Sequence, residues 1–480
     1  MMPHPHAGVT RENGLTLRTS EETRNHPWRC YRRWCASLAG VLVALAVAVP
    51  AQADPTLYVA SSGGGKIFQY GLDIDGSLSP LAEPTAAAGQ SPDSVAVSAN
   101  GRWVYVAIRG AVAQYDVSSD GGLSPMTPAT VPAGQTPVGV AVIPDSNSVY
   151  VADAGGTIFQ YDVGDDGALS SKTPATITSV PKPAGLAVSP DGRSVYVAND
   201  GTEAQNTALV YQFNVGAGEA LSPKTPASVA ADDGPSGVAV SPDGKSVYVT
   251  NSVVDTVSQY DVGAGGALSP KSAGEVGAGD TPSALAILPD GDSAYVANSG
   301  DGSVSQFNVG TGGALAPKQP NSVSAGSSPA DVAVSPDGES VYATDSGGGR
   351  VYQFDVGLQE RLSAKDPAYV TSGAAPSGLA VRPSYATTTT TFNFTGGVQN
   401  WVVPGGTSSG TFDLYGAEGG SSYPLTKTGT DPAPGGEGAH VEATLALTPA
   451  TTLEIRVGGM GISGAQWTQN GPHNGNGGFN

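Results

Sequence analysis

Cysteine is almost missing from this chain of 480 residues: Cys30 and Cys35 are its only two, and both fall within the first 53. Everything after residue 53 therefore has no disulfide, no thiol nucleophile and no cysteine metal site, and must be held by packing. Histidine is nearly as scarce. Beyond residue 53 only His440 and His473 occur, far apart and with no third ligand in view, so no metal site and no cofactor are expected. Residues 54–386 hold no imidazole at all for acid–base work. Positive charge is short as well. The formal net charge is −20, and the first 53 residues carry six Lys or Arg against three Asp or Glu, so setting aside their net +3 leaves −23. A chain this acidic is poorly suited to nucleic acid or anionic lipid, both of which need a basic surface.

Long apolar runs are also absent. Residues 38–49 form the one candidate, too short to cross a bilayer; Arg29, Arg32 and Arg33 precede it and Ala51-Gln52-Ala53 follows. That pattern reads as a secretory signal over residues 1–53, with a mature chain starting at Asp54 and no transmembrane span in it. Arg32-Arg33 leaves the general and twin-arginine routes both open. The protein is expected outside the cytoplasm, secreted or on the cell surface.

What the chain has in plenty is turn residues, 67 Gly and 37 Pro, and a repeat. Its clearest copy is residues 236–249, Ser-Gly-Val-Ala-Val-Ser-Pro-Asp-Gly-Lys-Ser-Val-Tyr-Val. Val238-Ala239-Val240 is a short apolar run suited to a buried strand. Ser241-Pro242-Asp243-Gly244 supplies a turn, and Val247-Tyr248-Val249 returns as a second strand. The tyrosine of that strand recurs at Tyr58, Tyr105, Tyr150, Tyr196, Tyr248, Tyr295 and Tyr342, at a period of roughly 45 to 52 residues. A third strand follows each copy, as in Val210-Tyr211-Gln212-Phe213, and a fourth follows the recurring Leu-Ser-Pro. Four strands per unit is a propeller blade.

The first copy lacks an inner strand, and Leu379-Ala380-Val381 at the far end lacks a partner, so one blade is expected to be built from both ends. The fold is thus an all-β, seven-bladed β-propeller over residues 54–386, closed by the terminal strands of its repeat region. Five threonines at 387–391 read as a linker, and residues 392–480 as a small Gly-rich β domain that ends in mid-pattern.

Candidate site residues come from the ring the repeat register defines. The inner strands are approached through Pro92, Pro137, Pro183, Pro235, Pro282, Pro329 and Pro376, on the face that also carries the loops after each second strand. Asp153, Asn199, Asn251, Asn298 and Asp345 head those loops. Such side chains either cap their own turns or line a polar funnel for a sugar or a cation. Arg109 breaks the ring and is expected to be its lone cation. Asp93 and Asp331 are the candidate bases beside it, if burial raises their pKa values. Gln69, Gln114, Gln160, Gln212, Gln259, Gln306 and Gln353 recur in every blade and are expected to be structural.

The Val-Ser-Pro-Asp-Gly-x-Ser-Val-Tyr-Val-x-Asn pattern, over about residues 55–383, resembles the YVTN-type propellers of microbial surface proteins and the seven-bladed propeller lactonase family, which includes enzymes acting on 6-phosphogluconolactone. That resemblance implies the fold. In the lactonases the inner strand is often approached through Pro-Arg-His; here the matching triplets run from Pro92-Asp93-Ser94 to Pro376-Ser377-Gly378, and none holds Arg-His. The C-terminal Trp401-Val402-Val403-Pro404 and Gly416-Ala417-Glu418-Gly419-Gly420 resemble Gly-rich domains of secreted bacterial proteins. The expected function is a noncatalytic extracellular module that binds or displays a protein or glycan partner and does not hydrolyse lactones efficiently. A secreted lactonase and a carbohydrate-binding propeller are the alternatives.

Overall fold

Each copy of the Val-Tyr-Val segment becomes a six-residue strand buried along its whole length, Ser246–Asn251 being typical. That is why these runs are apolar throughout: the strand sits between two others and under the neighbouring sheets. In the computed structural model, residues 55–178, 180–202, 204 and 207–382 are described, together with the strands 398–402, 409–415, 440–446 and 452–456. Residues 1–53 with both cysteines, the expected signal, and the expected threonine linker at 387–391 lie outside the described residues, as does His473.

Seven four-stranded antiparallel sheets form the propeller. We number the blades 1 to 7 from the one holding Thr56–Ser61, and name strands inner, second, third and outer. Blade 5 is representative: Pro235–Val240, Ser246–Asn251, Thr256–Val262 and Leu268–Gly277, paired in that order. Its first turn closes as the sequence implies. Gly244 N–H donates to Ser241 O at φ +71°, and Asp243 Oδ1 accepts from Ser241 Oγ and Lys245 N–H.

Blade 1 is built from both ends of the repeat region. Its inner strand is Pro376–Arg382, which pairs with Thr56–Ser61 in the register Leu57↔Val381, Tyr58↔Ala380 and Val59↔Leu379. Inner strands of successive blades touch one another around the ring. In blades 4 and 5 every inner-strand residue after the opening proline stays partly accessible, whereas the second strands are fully buried.

Two rings of polar contacts join the blades. Every second-strand tyrosine donates its hydroxyl to a carbonyl in the next blade's turn between third and outer strands, from Tyr58 to Gly121 O at 2.7 Å round to Tyr342 to Gly76 O at 2.6 Å. Every repeated glutamine accepts, through Oε1, the N–H of the leucine opening the next blade's outer strand, as with Gln114 and Leu169 at 2.8 Å. The glutamines are structural.

Beyond the propeller, strand Val398–Val402 pairs with Thr452–Arg456, and Ser409–Tyr415 with His440–Ala446.

Candidate active site at the axial mouth

The inner strands converge where their chains come in through proline, and the first side chains after each proline form the mouth of the axial channel. Most of these positions serve blade contacts. Ser236 Oγ donates to Pro282 O, Ser283 Oγ to Pro329 O and Ser377 Oγ to Pro92 O, each reaching the next blade's proline carbonyl at 2.9–3.2 Å. Gly378 is small because it must be: a Cβ there would stand 2.4 Å from Asp93 O and 2.8 Å from the Ser94 Cα.

Two carboxyls flank that glycine, Asp93 from blade 2 and Asp331 from blade 7. Asp331 is fixed at every polar atom. Its N–H donates to Thr344 Oγ1, Oδ1 accepts from Val332 N–H, and Oδ2 accepts from Leu379 N–H of blade 1, all at 2.9 Å. Asp93 is held only by its backbone, whose N–H donates to Ala107 O. Its carboxylate takes up no hydrogen bond among the described residues.

Both groups are partly buried against the channel wall, and desolvation raises each to about 6. For Asp331 the two amide hydrogen bonds oppose that rise and the charge of Asp93 adds to it. The packed strands of the wall remove water from both carboxyls, which disfavours their charged forms.

The Asn and Asp ring is drawn into its own loops. All five members are at least nine-tenths buried. Asp153 accepts from Thr136 and Gly155 N–H, Asn199 from Lys182 N–H and Asn298 from Gly279 N–H, while Asp345 Oδ1 accepts from Ser327 and Ser328 N–H. Asn251 donates to Thr256 and Ser258 hydroxyls. These side chains hold their own loops together, and Asn251 Oδ1 is buried without a hydrogen-bond partner among the described residues.

Arg109 lies on the expected face, exposed, its backbone N–H donating to Gln90 O and its guanidinium unpaired among the described residues. It is not the lone cation there. Lys66 and Arg350 open the third strands of blades 1 and 7, at the equivalent turn, and Lys182 leads into blade 4. The register places Lys66 and Arg350 at the start of their third strands, beyond the second-strand ends that define the expected ring.

At the opposite end of the strands, carboxylate oxygens of Asp290, Asp292 and Glu360 lie within 4.8 Å of one another, with Lys318 Nζ 3.6 Å from Glu360 as an internal counter-charge.

The family described as a seven-bladed β-propeller lactonase matches residues 47–319 and 264–388, which together span the whole ring. This chain belongs to that lactonase family. Solved structures agree on the fold of this lactonase-family propeller. It is similar to the periplasmic gluconolactonase PpgL of Pseudomonas aeruginosa, with 20% identity, a TM-score of 0.57, and coverage of 69% of this chain and 99% of that one. It is also similar to a provisionally assigned 6-phosphogluconolactonase of Bacteroides fragilis, with 20% identity, a TM-score of 0.58, and coverage of 68% and 98%. A third similar structure is a Lactobacillus plantarum protein, with 22% identity, a TM-score of 0.58, and coverage of 68% and 99%. No curated protein sequence matches the chain.

Proposed function

We propose that this propeller is an exported lactone hydrolase whose general base is Asp93. One observation carries the proposal: a carboxylate with no hydrogen-bond partner stands in the axial mouth, desolvated to a pKa of about 6, in a chain of the lactonase family. Opening a lactone takes addition of water to the ring carbonyl, loss of a proton from that water, and return of a proton to the ring oxygen as the ester C–O bond breaks. A base poised near neutral pH serves the first proton transfer and, once protonated, can serve the second. Asp331 is the positioning partner. Held by Leu379 and Val332, it keeps a second negative charge near Asp93 and keeps the mouth narrow. Export is supported by the signal-like start and the periplasmic relative. Among the described residues no helix is long and apolar enough to cross a membrane.

The noncatalytic module expected from the missing Arg-His gives way to this reading because an aspartate can take the base's place once water is removed from it. Purified protein should open glucono-δ-lactone and simple γ-lactones faster than buffer alone. Asp93→Asn should remove about 10² or more of that rate. The base works deprotonated, so kcat/KM should rise with pH and level off above a midpoint near 6. Rates equal to the buffer blank, or an Asp93→Asn variant as fast as the parent, would return the chain to the binding-module reading.

A further inference from the structure

At the axial mouth the inner strand of blade 2 departs from the other blades at two successive residues, Asp93 and Ser94. Ser94 matches Asp331 of blade 7 in the register, and both side chains accept an N–H from the following blade. Asp331 Oδ2 accepts from Leu379 at 2.9 Å and Ser94 Oγ from Val140 at 3.3 Å. The other five blades have Gly139, Gly185, Gly237, Ala284 and Gly378 at that place, with no side-chain group to offer. Blade 2 is the one blade that brings both a carboxyl and a hydroxyl to the mouth.

Among the two residues after each proline, four carry hydroxyls, and three of these are already engaged. Ser236, Ser283 and Ser377 donate to the next blade's proline carbonyl. Ser94 differs. Its oxygen accepts from Val140, and its hydrogen goes to no acceptor among the described residues. A hydroxyl that accepts an N–H bond is polarised by it and donates more strongly in turn. Ser94 stays partly accessible, as does Asp93.

The backbone there is a bulge. Asp93 N–H donates to Ala107 O and Ala107 N–H donates to Ser94 O, so two inner-strand residues stand opposite one residue of the second strand. A bulge breaks the alternation that would otherwise send successive side chains to opposite faces, and it bends the strand where it occurs.

We infer that Ser94 is a second catalytic residue, whose Oγ–H donates to the carbonyl oxygen of the lactone as that oxygen gains negative charge. This rests on the reading of the axial mouth as a lactone-opening site with Asp93 as its base. Water adds to the carbonyl carbon while Asp93 takes its proton, and the C=O π pair moves onto the oxygen, where Ser94 meets it. When that pair returns, the ring C–O bond breaks. The ring oxygen leaves with the bonding electrons and takes the proton back from Asp93. Ser94 forms no covalent bond at any stage.

Glycine and alanine already stand at this register position in other blades, so Ser94→Ala and Ser94→Gly keep the propeller folded, which urea unfolding verifies. On glucono-δ-lactone, measured against the buffer blank, each variant should lose about 10²-fold in kcat at nearly unchanged KM. Their kcat/KM should still level off above a midpoint near 6, because the base is untouched. Ser94→Thr keeps the hydroxyl and should recover most of the rate. Mass spectrometry of the parent quenched during turnover should show no acyl adduct. Full rate in both Ser94→Ala and Ser94→Gly, a Ser94→Thr variant as slow as Ser94→Ala, a displaced midpoint, or an adduct on Ser94 each overturns this inference while the lactonase reading stands. Blank-level rates in the parent overturn that reading and this inference with it.

Discussion

A glutamine that recurs seven times shows how much one side chain contributes when the fold repeats it. In blade 2, Gln114 Nε2 donates to Pro128 O on its own outer strand while Oε1 accepts from Leu169 N–H of blade 3. In five blades the carbonyl that receives Nε2 belongs to a proline, and in blade 1 to Glu83. Blade 5 has Ala273 at that point, and Gln259 Nε2 is left without a partner. Buried polar atoms deprived of a partner cost about 1–3 kcal/mol each, so Gln114→Ala should destabilise by about 2–4 kcal/mol. Gln259→Ala should cost about 1 kcal/mol less than that, because it breaks one bond and removes an unpaired donor. Urea unfolding of the two variants decides this; equal losses would mean that the hydrogen bonds to the outer strand carry no weight.

At the scale of the element, the turn between third and outer strands shows what a departure from the repeat costs. Its carbonyl receives the neighbouring tyrosine, and the residue there has positive φ in all seven blades: Gly76, Gly121, Gly167, Gly266 and Gly313 at φ +73° to +86°, but Glu219 at +59° and Glu360 at +54°. Glycine takes this region without a Cβ penalty, whereas glutamate is strained there. A Cβ built on Gly266 would also meet Ser194 Oγ at 2.2 Å; the equivalent Ser148 instead gives its hydroxyl hydrogen bond to the Glu219 carboxylate. That carboxyl is pushed up by burial, with nearby Asp145 adding to the rise. Glu219→Gly relieves both the backbone strain and the crowding of carboxylates, and should stabilise the protein by about 1 kcal/mol. The check is a rise in urea midpoint at unchanged m-value; a fall would show that the Ser148 contact outweighs the strain.

For the whole molecule, closure is the feature on which the site depends. Pro376–Arg382 is both the inner strand of blade 1 and the segment on which Asp331 and Asp93 close. A chain ending before Pro376 would leave Thr56–Ser61 with an unpaired edge, remove the Leu379 amide from Asp331 and open the ring between blades 7 and 2. Such a truncation should melt at least about 10 °C below the full chain or aggregate, and should lose the proposed lactone-opening activity along with the fold. Coincident melting curves for the two would show that the pairing of Leu57 with Val381 contributes nothing to stability.

The sequence alone determined the fold, down to which end strand completes blade 1, because a repeat of about 45 to 52 residues repeats its hydrophobic pattern and its turns seven times over, and every copy corroborates the others. The structural role of the glutamines was legible for the same reason. What it left open was the site, since a functional group departs from the repeat and the register says only where along a strand it falls. Only the tertiary structure decided that Asp153, Asn199, Asn251, Asn298 and Asp345 are buried in their own loops while the carboxylate of Asp93 accepts no hydrogen bond among the described residues. Blades 2 and 7 stand at opposite ends of the chain. They become neighbours of the same strand only when the ring shuts, a juxtaposition that no register along the chain displays.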